Sequence, residues 1–100
     1  MEENKKRMLR KLEDCIKSTQ LNILDRLMTQ SSIKENFEKI CQEEWLKIED
    51  KGFFDIYYQL RVVHDISSEE LSELYNKCEE DFRYRLNELI ESKKVHCYTD

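Results

Sequence analysis

The sequence predicts an all-α protein, either a helical hairpin or a small helical bundle. The 100 residues include one glycine and no proline, whereas average usage is about 7% glycine and 5% proline. Sheets depend on tight turns, and tight turns favour those two residues. Charged and hydrophobic residues each make up 39% of the chain, a balance that suits amphipathic helices with one solvated face.

The first helix is predicted from about Asn4 to Thr29. Apolar residues recur there at steps of three and four, the spacing that places them on one face of a helix. Lysine and arginine fill the opposite face near the start of the segment. The predicted core positions of this helix include Leu12, Ile23 and Leu27.

The second helix is predicted over residues 32–51. Ser32 and Glu35 form a capping box, in which a hydroxyl and a carboxylate satisfy free backbone N–H groups. Gly52 marks the end of the helix, because glycine enters the left-handed conformation without strain. Phe37 and Trp45 are predicted to lie on the buried face.

The stretch from Phe53 to Ile66 has an ambiguous pattern. Its aromatic and β-branched residues favour a strand by propensity. An isolated strand in a helical protein has nothing to pair with, however. The segment is therefore predicted to form a short helix through Leu60 and then an irregular connector.

The last long helix, predicted over residues 67–92, has the clearest start signal. Ser67 and Glu70 form a second capping box, and Ile66 and Leu71 occupy the positions of a hydrophobic staple. The pattern predicts a buried face that continues along the whole helix. Its predicted core residues are Leu71, Leu74, Cys78, Phe82 and Leu89.

The predicted domain organisation is one helical head domain over residues 1–95. The last helix is expected to fray or turn near Lys93 and Lys94, and the following residues carry no helix stop signal. Residues 96–100 are therefore expected to begin a further helix or coiled coil.

No pattern typical of a catalytic, metal or cofactor site occurs in the sequence. Neither His64 nor His96 has a glutamate three residues before it, the spacing that di-iron bundles use. The sequence contains no HExxH motif and no P-loop. No CxxC pair occurs, so free thiols are expected at Cys15, Cys41, Cys78 and Cys97. We expect no enzyme activity, no metal and no cofactor.

The charge of the chain is unevenly distributed. The net charge of −5 argues against general nucleic-acid binding, which needs clustered cations, and no apolar run is long enough to span a bilayer. Residues 1–11 carry five cations and two acids, whereas residues 69–91 carry three cations and eight acids. A basic helix that binds nucleic acid through Lys5 to Lys11 stays open as an alternative.

The acidic end of the chain includes the stretch CEEDFRYRLNELIESKKV, residues 78–95. Some of its acids stand four residues before an arginine, the spacing of weak helix-stabilising pairs. The acids exceed what such pairs neutralise, and they would attract a basic peptide segment. The alternative is a solvated face that keeps the domain soluble. The predicted partner-binding residues are Glu73, Glu79, Glu80, Asp81 and Arg83.

The second half of the chain resembles a known family. It reads YYQLRVVHDISSEELSELYNKCEEDFRYRLNELIESKKVHCYTD, and it is similar to the head segment of polyamine-modulated factor and its yeast counterparts, subunits of the MIND kinetochore complex. The matching pieces are Tyr57–Leu60, Glu79–Phe82 and Lys93–Val95. The first half departs from the family, since the predicted second helix is longer than the resemblance implies.

The resemblance implies a scaffold subunit without enzyme activity. A partner MIND subunit would complete its helices into a four-helix head, and the head would dock a segment of centromere protein C. The implied location is the kinetochore in the nucleus, and the implied role is chromosome segregation. A stand-alone helical adaptor or effector is the alternative that the sequence leaves open.

Overall fold

The all-α prediction is confirmed by a computed structural model, which describes the backbone of residues 2–98 and the side chains of residues 3–93. No strand occurs within this described part of the chain. Four α-helices are joined by one 3-10 helix and one π-helix. In order, they are α1 Glu2–Met28, α2 Ile33–Leu46, the 3-10 helix Lys47–Lys51, α3 Phe53–Tyr58, the π-helix Gln59–Val63 and α4 Ser68–Tyr98.

The long helix α1 is the axis around which the other elements pack. The chain reverses after α1, and α2, the 3-10 helix and α3 return along it toward its N-terminus. Helix α4 then runs parallel to α1, since Leu71 packs near Leu12 and the Lys93 ammonium donates to the Gln30 carbonyl. The result is an elongated three-layer bundle of 57 × 22 × 19 Å.

The helix starts predicted at Ser32 and Ser67 are reproduced by local hydrogen bonds, but α2 ends at Leu46, and the rest of the helix predicted over residues 32–51 is the 3-10 helix Lys47–Lys51. The Ser32 hydroxyl accepts from the Glu35 N–H at 3.4 Å, and the Ser67 hydroxyl accepts from the Glu70 N–H at 3.2 Å. Gly52 has φ 76° and ψ 21°, the left-handed conformation in which other residues are strained. The cap predicted at each of these three positions is therefore present.

The segment is helical from Phe53 to Val63, three residues beyond the predicted end at Leu60, and residues 64–67 form the predicted irregular connector. The π-helix Gln59–Val63 was not predicted, and it carries the wide turn in which the His64 N–H donates to the Gln59 carbonyl at 3.1 Å. The connector is then pinned in place, since the Ile66 N–H donates to the Leu60 carbonyl at 3.0 Å. Asp65 has a positive φ of 54° at this corner.

Helix α4 does not end where the sequence pattern predicted. It continues through Lys93 and Lys94 to Tyr98, so the expected turn near residue 93 is wrong. The reason is local, because this stretch contains no glycine or proline that would interrupt helical hydrogen bonds. Residues 99 and 100 of the expected further helix lie outside the described residues.

Two hydrophobic cores divide the bundle along α1. The core nearer the α1 N-terminus, here called the α3 core, contains Leu12, Ile16, Leu60, Ile66, Leu71 and Cys78. The core nearer the α1 C-terminus, here called the α2 core, contains Ile23, Leu24, Leu27, Ile40 and Phe82. Trp45 packs against both cores and links them.

The residues predicted for the core lie in or beside these two clusters. Six of them are buried, namely Leu12, Ile23, Leu27, Leu71, Cys78 and Phe82. The other four are half-buried and pack against the clusters, namely Phe37, Trp45, Leu74 and Leu89. Partial exposure of these four leaves room for contact with another chain.

A candidate protein-interaction site

An exposed apolar stripe runs along the outer face of α3 and the π-helix. Phe54, Tyr58 and Val62 follow one another at intervals of four residues, and each is nearly 60% exposed. These three residues are called the outer stripe below. The opposite face of the same segment carries Ile56 and Leu60 into the α3 core. A helix that is apolar on both faces is normally buried, so its exposed face indicates a contact surface.

A groove lies beside the outer stripe, between α3 and α4. Its volume is about 240 Å³. Apolar side chains form most of its lining, and the polar exceptions are Ser68, Ser72 and Asn76. The apolar lining consists of Leu12, Ile16, Phe53, Tyr57, Leu71 and Tyr75. The cavity lined by these nine residues is called the α3–α4 groove.

Aromatic contacts hold the walls of the α3–α4 groove in place. The Tyr57 ring stacks on the Phe53 ring with centroids 6.1 Å apart, and the Tyr75 ring lies 6.1 Å from the Trp45 ring. Phe53 also meets Phe54 edge to face at 5.5 Å. Edge-to-face and offset ring pairs are favourable arrangements. The groove and the outer stripe therefore form one continuous apolar surface.

The segment around this surface is acidic. Residues 49–69 contain five carboxylates and two cations, a net charge of −3. Both cations donate to groups of the protein: Lys51 donates to the Ser18 and Thr19 hydroxyls at 2.9 Å each, and the exposed Arg61 donates to the Ile66 carbonyl at 2.9 Å. The carboxylates are exposed and form no ion pair among the described residues; they are Glu49, Asp50, Asp55, Asp65 and Glu69.

The predicted acidic ridge on α4 is partly neutralised within its own helix. Glu79 pairs with Arg83 at 3.6 Å, and Asp81 pairs with Arg85 at 3.3 Å. Glu80 is exposed and forms no ion pair among the described residues. All five predicted partner-binding residues lie on α4, but Glu73 belongs to a different groove described next.

A second groove separates the N-terminal halves of α1 and α4. Leu9 and Leu74 are its apolar side chains, and the remainder of its lining is charged. The charges in its lining are balanced, since it contains three acids and three cations. The acids are Glu13, Glu70 and Glu73, and the cations are Lys6, Arg10 and Lys77. Glu73 therefore lies among cations, which makes it a poorer receptor for a basic segment than its sequence neighbourhood indicated.

At the α2 core, a charged network joins α1 to α2. Arg26 contacts Glu44 at 2.9 Å and Glu43 at 3.1 Å, and Lys47 contacts Glu44 at 3.0 Å. Burial alone would raise the pKa of the Glu44 carboxyl, but hydrogen bonds from Lys47 and Arg26 outweigh burial and lower that pKa. Sequence reasoning missed this network, because Arg26 reaches Glu43 and Glu44 only when α1 and α2 are paired.

One arrangement in the structure resembles a serine–lysine catalytic pair. The Lys51 ammonium lies 2.9 Å from both the Ser18 and the Thr19 hydroxyl oxygens. Ser18 lies inside α1, where backbone N–H groups are already used by helical hydrogen bonds. The backbone beside Ser18 therefore offers no free N–H groups for an oxyanion hole, and the arrangement is read as a link between α1 and the 3-10 helix.

The cysteines and the remaining polar groups reveal no other site in the described residues. Cys15 and Cys78 are buried, Cys41 is half-buried, and all three are free. Burial raises the pKa of each of these thiols. The side chains of Cys97 and His96 lie outside the described residues. Within the described part of the chain, no cluster of three potential metal ligands exists, and no helix is long and apolar enough to cross a membrane.

Comparison with known proteins gives no further assignment. No protein family, no curated protein sequence and no solved structure significantly matches this chain. The outer stripe and the α3–α4 groove are therefore the surface features that bear on a protein-interaction function.

Proposed function

We propose that this protein is a helical scaffold subunit that packs against another chain in a MIND-type kinetochore complex. The observation that carries the proposal is the outer stripe, an exposed apolar face on a helix that is already apolar inside. Fully burying a phenylalanine or valine side chain contributes about 1.5–3 kcal/mol. Covering Phe54 and Val62 would thus favour a complex substantially.

The kinetochore assignment rests on the family resemblance of the second half of the chain. On this proposal, a partner MIND subunit covers the outer stripe and completes a four-helix head. The completed head then docks a segment of centromere protein C, with the acids of α4 contributing to its reception. The protein acts in the nucleus at the centromere during chromosome segregation, without catalysis, a cofactor or direct contact to nucleic acid.

The proposal is tested by co-expression with each of the other MIND subunits. Size-exclusion chromatography with light scattering should show a stable complex with one of them. The double variant Phe54→Ser plus Tyr58→Ser should weaken this complex, whereas Tyr84→Ser should not, because Tyr84 is equally exposed but lies on α4. Absence of a complex with every subunit would reject the kinetochore role.

A second candidate function is that of a stand-alone helical adaptor. The observation that favours it is that the described chain already closes two cores with its own residues. The adaptor should unfold in one cooperative thermal transition, independent of protein concentration, and should remain a monomer without any MIND subunit. A transition that sharpens and rises only when a MIND subunit is added would favour the scaffold role instead.

A further inference from the structure

We infer that the α3–α4 groove and the outer stripe together bind a basic amphipathic helix of a partner protein. The inference deepens the proposed function, because it names the surface and the chemistry of the partner. It rests on the protein-interaction role but does not depend on the kinetochore assignment. Three properties of the surface carry it: continuity, shape and charge.

Continuity makes the surface large enough for one ligand segment. The Phe53 ring lines the groove and meets the Phe54 ring of the stripe at 5.5 Å. From Phe54 to Val62 the stripe extends over eight residues of helix, which is about 12 Å. A helix of two to three turns matches that length.

The shape of the surface selects a helix as the ligand. The α3–α4 groove lies between two helices, and grooves of this kind receive the apolar face of a third helix. The apolar side chains of such a ligand recur at intervals of three and four residues. A peptide that binds by strand addition would need a sheet edge, and the described part of the chain contains no strand.

The charge around the surface selects a basic ligand. The five carboxylates of residues 49–69 are exposed and form no ion pair with any side chain that the structure describes, whereas Lys51 and Arg61 donate to uncharged groups of the protein. A ligand helix with lysine or arginine beside its apolar face would meet a segment of opposite net charge. Such complementarity raises the association rate, and salt weakens it.

The probe for this inference is a synthetic amphipathic helix of about 15 residues, long enough to hold helical structure. Its apolar face carries leucine and its polar face carries lysine. One matched peptide replaces every lysine with glutamate, and another replaces every leucine with serine. Binding to the full chain is measured by fluorescence anisotropy at about 50 mM and about 300 mM salt.

The leucine–lysine peptide should bind, and each matched peptide should bind at least about tenfold more weakly. Affinity for the leucine–lysine peptide should fall as salt rises. Binding of the serine–lysine peptide at the same affinity would overturn the inference, because the apolar surface would then contribute nothing.

Variants of the protein locate the binding. Phe54→Ser plus Tyr58→Ser should weaken peptide binding at least about tenfold, whereas Tyr84→Ser should leave it unchanged. Asp55→Lys plus Glu69→Lys should weaken it, and the control with the same change in net charge is Asp25→Lys plus Glu38→Lys, at exposed positions of α1 and α2. Equal losses for the two charge reversals would assign binding to net charge alone and would overturn the inference.

The peptide assay separates this inference from the proposed function. If the peptide binds the outer stripe but no MIND subunit forms a complex, the kinetochore role fails and the inference holds. If a MIND subunit binds and neither the stripe variants nor the peptide shows an effect, the inference fails alone. A dimer of this chain that Phe54→Ser plus Tyr58→Ser dissociates would show a second copy on the surface and would also overturn the inference.

Discussion

The α2 core and the α3 core pack against the same helix but are covered in opposite ways. Beside the α2 core, the buried carboxylate of Glu44 turns inward to Arg26, and Lys47 completes its coordination. Beside the α3 core, Lys51 and Arg61 donate to uncharged groups of the chain, and the outer surface is left apolar within an acidic segment. Charge pairs therefore cover the α2 core from outside, whereas the α3 end leaves apolar side chains exposed to solvent.

The largest effect is expected from a substitution that would create a cavity in the α2 core. Phe82→Ala should lower the free energy of unfolding by about 3–5 kcal/mol, because Phe82 is buried with Ile23, Leu27 and Ile40. Urea denaturation followed by circular dichroism measures the change. A loss below about 1 kcal/mol would mean that another chain, rather than this bundle, buries Phe82.

The next effect tests the charged network through Glu44. Glu44→Gln should lower the free energy of unfolding at neutral pH by about 1–2 kcal/mol, since the partners of the carboxylate are partly exposed and screened. Urea midpoints of the two proteins measure it, with Glu38→Gln as the control at an exposed position of the same helix. If both variants were as stable as wild type, Glu44 would contribute nothing to the stability of the α2 core.

The same carboxylate predicts a dependence on pH. The pKa of Glu44 is lowered in the folded protein, so the unfolded chain binds a proton at Glu44 more readily than the folded chain does. The stabilisation is complete above the ordinary glutamate pKa of about 4.3 and is lost as pH falls through the lower folded value. Between pH 6 and pH 3, wild type should therefore lose more stability than Glu44→Gln, and parallel losses would contradict this assignment.

A smaller effect concerns an amide between the two cores. The Gln20 side chain is buried against α4, and its Nε2 has no hydrogen-bond partner. Removing an unsatisfied buried donor relieves a cost of about 1–3 kcal/mol. Gln20→Leu should therefore raise the free energy of unfolding by about 1 kcal/mol, as measured by urea denaturation. A destabilised variant would show that this amide has a partner in solution, such as a bound water.

The smallest expected effect sharpens the contrast most. Phe54→Ser and Tyr58→Ser should each change the free energy of unfolding by no more than about 0.5 kcal/mol, because both side chains are exposed. Thermal denaturation measures this, with Leu60→Ala as the buried comparison on the opposite face of the same segment. A large loss in either stripe variant would mean that the outer stripe stabilises the fold itself.

The elements of the fold that depend on local chemistry were predictable from the sequence. The caps at Ser32 and Ser67 and the left-handed Gly52 follow from single residues and their nearest neighbours. The all-α class follows from composition in the same way. Residue periodicity likewise marked Leu12 and Phe82 as candidates for the core before any pairing of helices was known.

The candidate site was not predictable, because it depends on how distant segments meet. The α3–α4 groove is lined by Leu12 and Ile16 together with Phe53 and Tyr75. No residue spacing in the sequence predicts that these distant positions lie close together. The sequence drew attention to the acids of α4, yet Arg83 and Arg85 neutralise two of them. The acids near α3 lie within residues 49–69, a segment that the sequence pattern did not single out.

The π-helix Gln59–Val63 determines the rotation of the chain after it relative to α3. One extra residue in that turn separates the helical register of α3 from the positions of Leu60 and Ile66, which both point into the α3 core. Deleting one residue there would restore an ordinary helical turn and rotate everything after it by about 100°. Ile66 would then leave the core or α4 would start in a different direction. The extra residue therefore allows the continuous segment Phe53–Val63 to bury Ile56 and Leu60 on one face and to expose the outer stripe on the other.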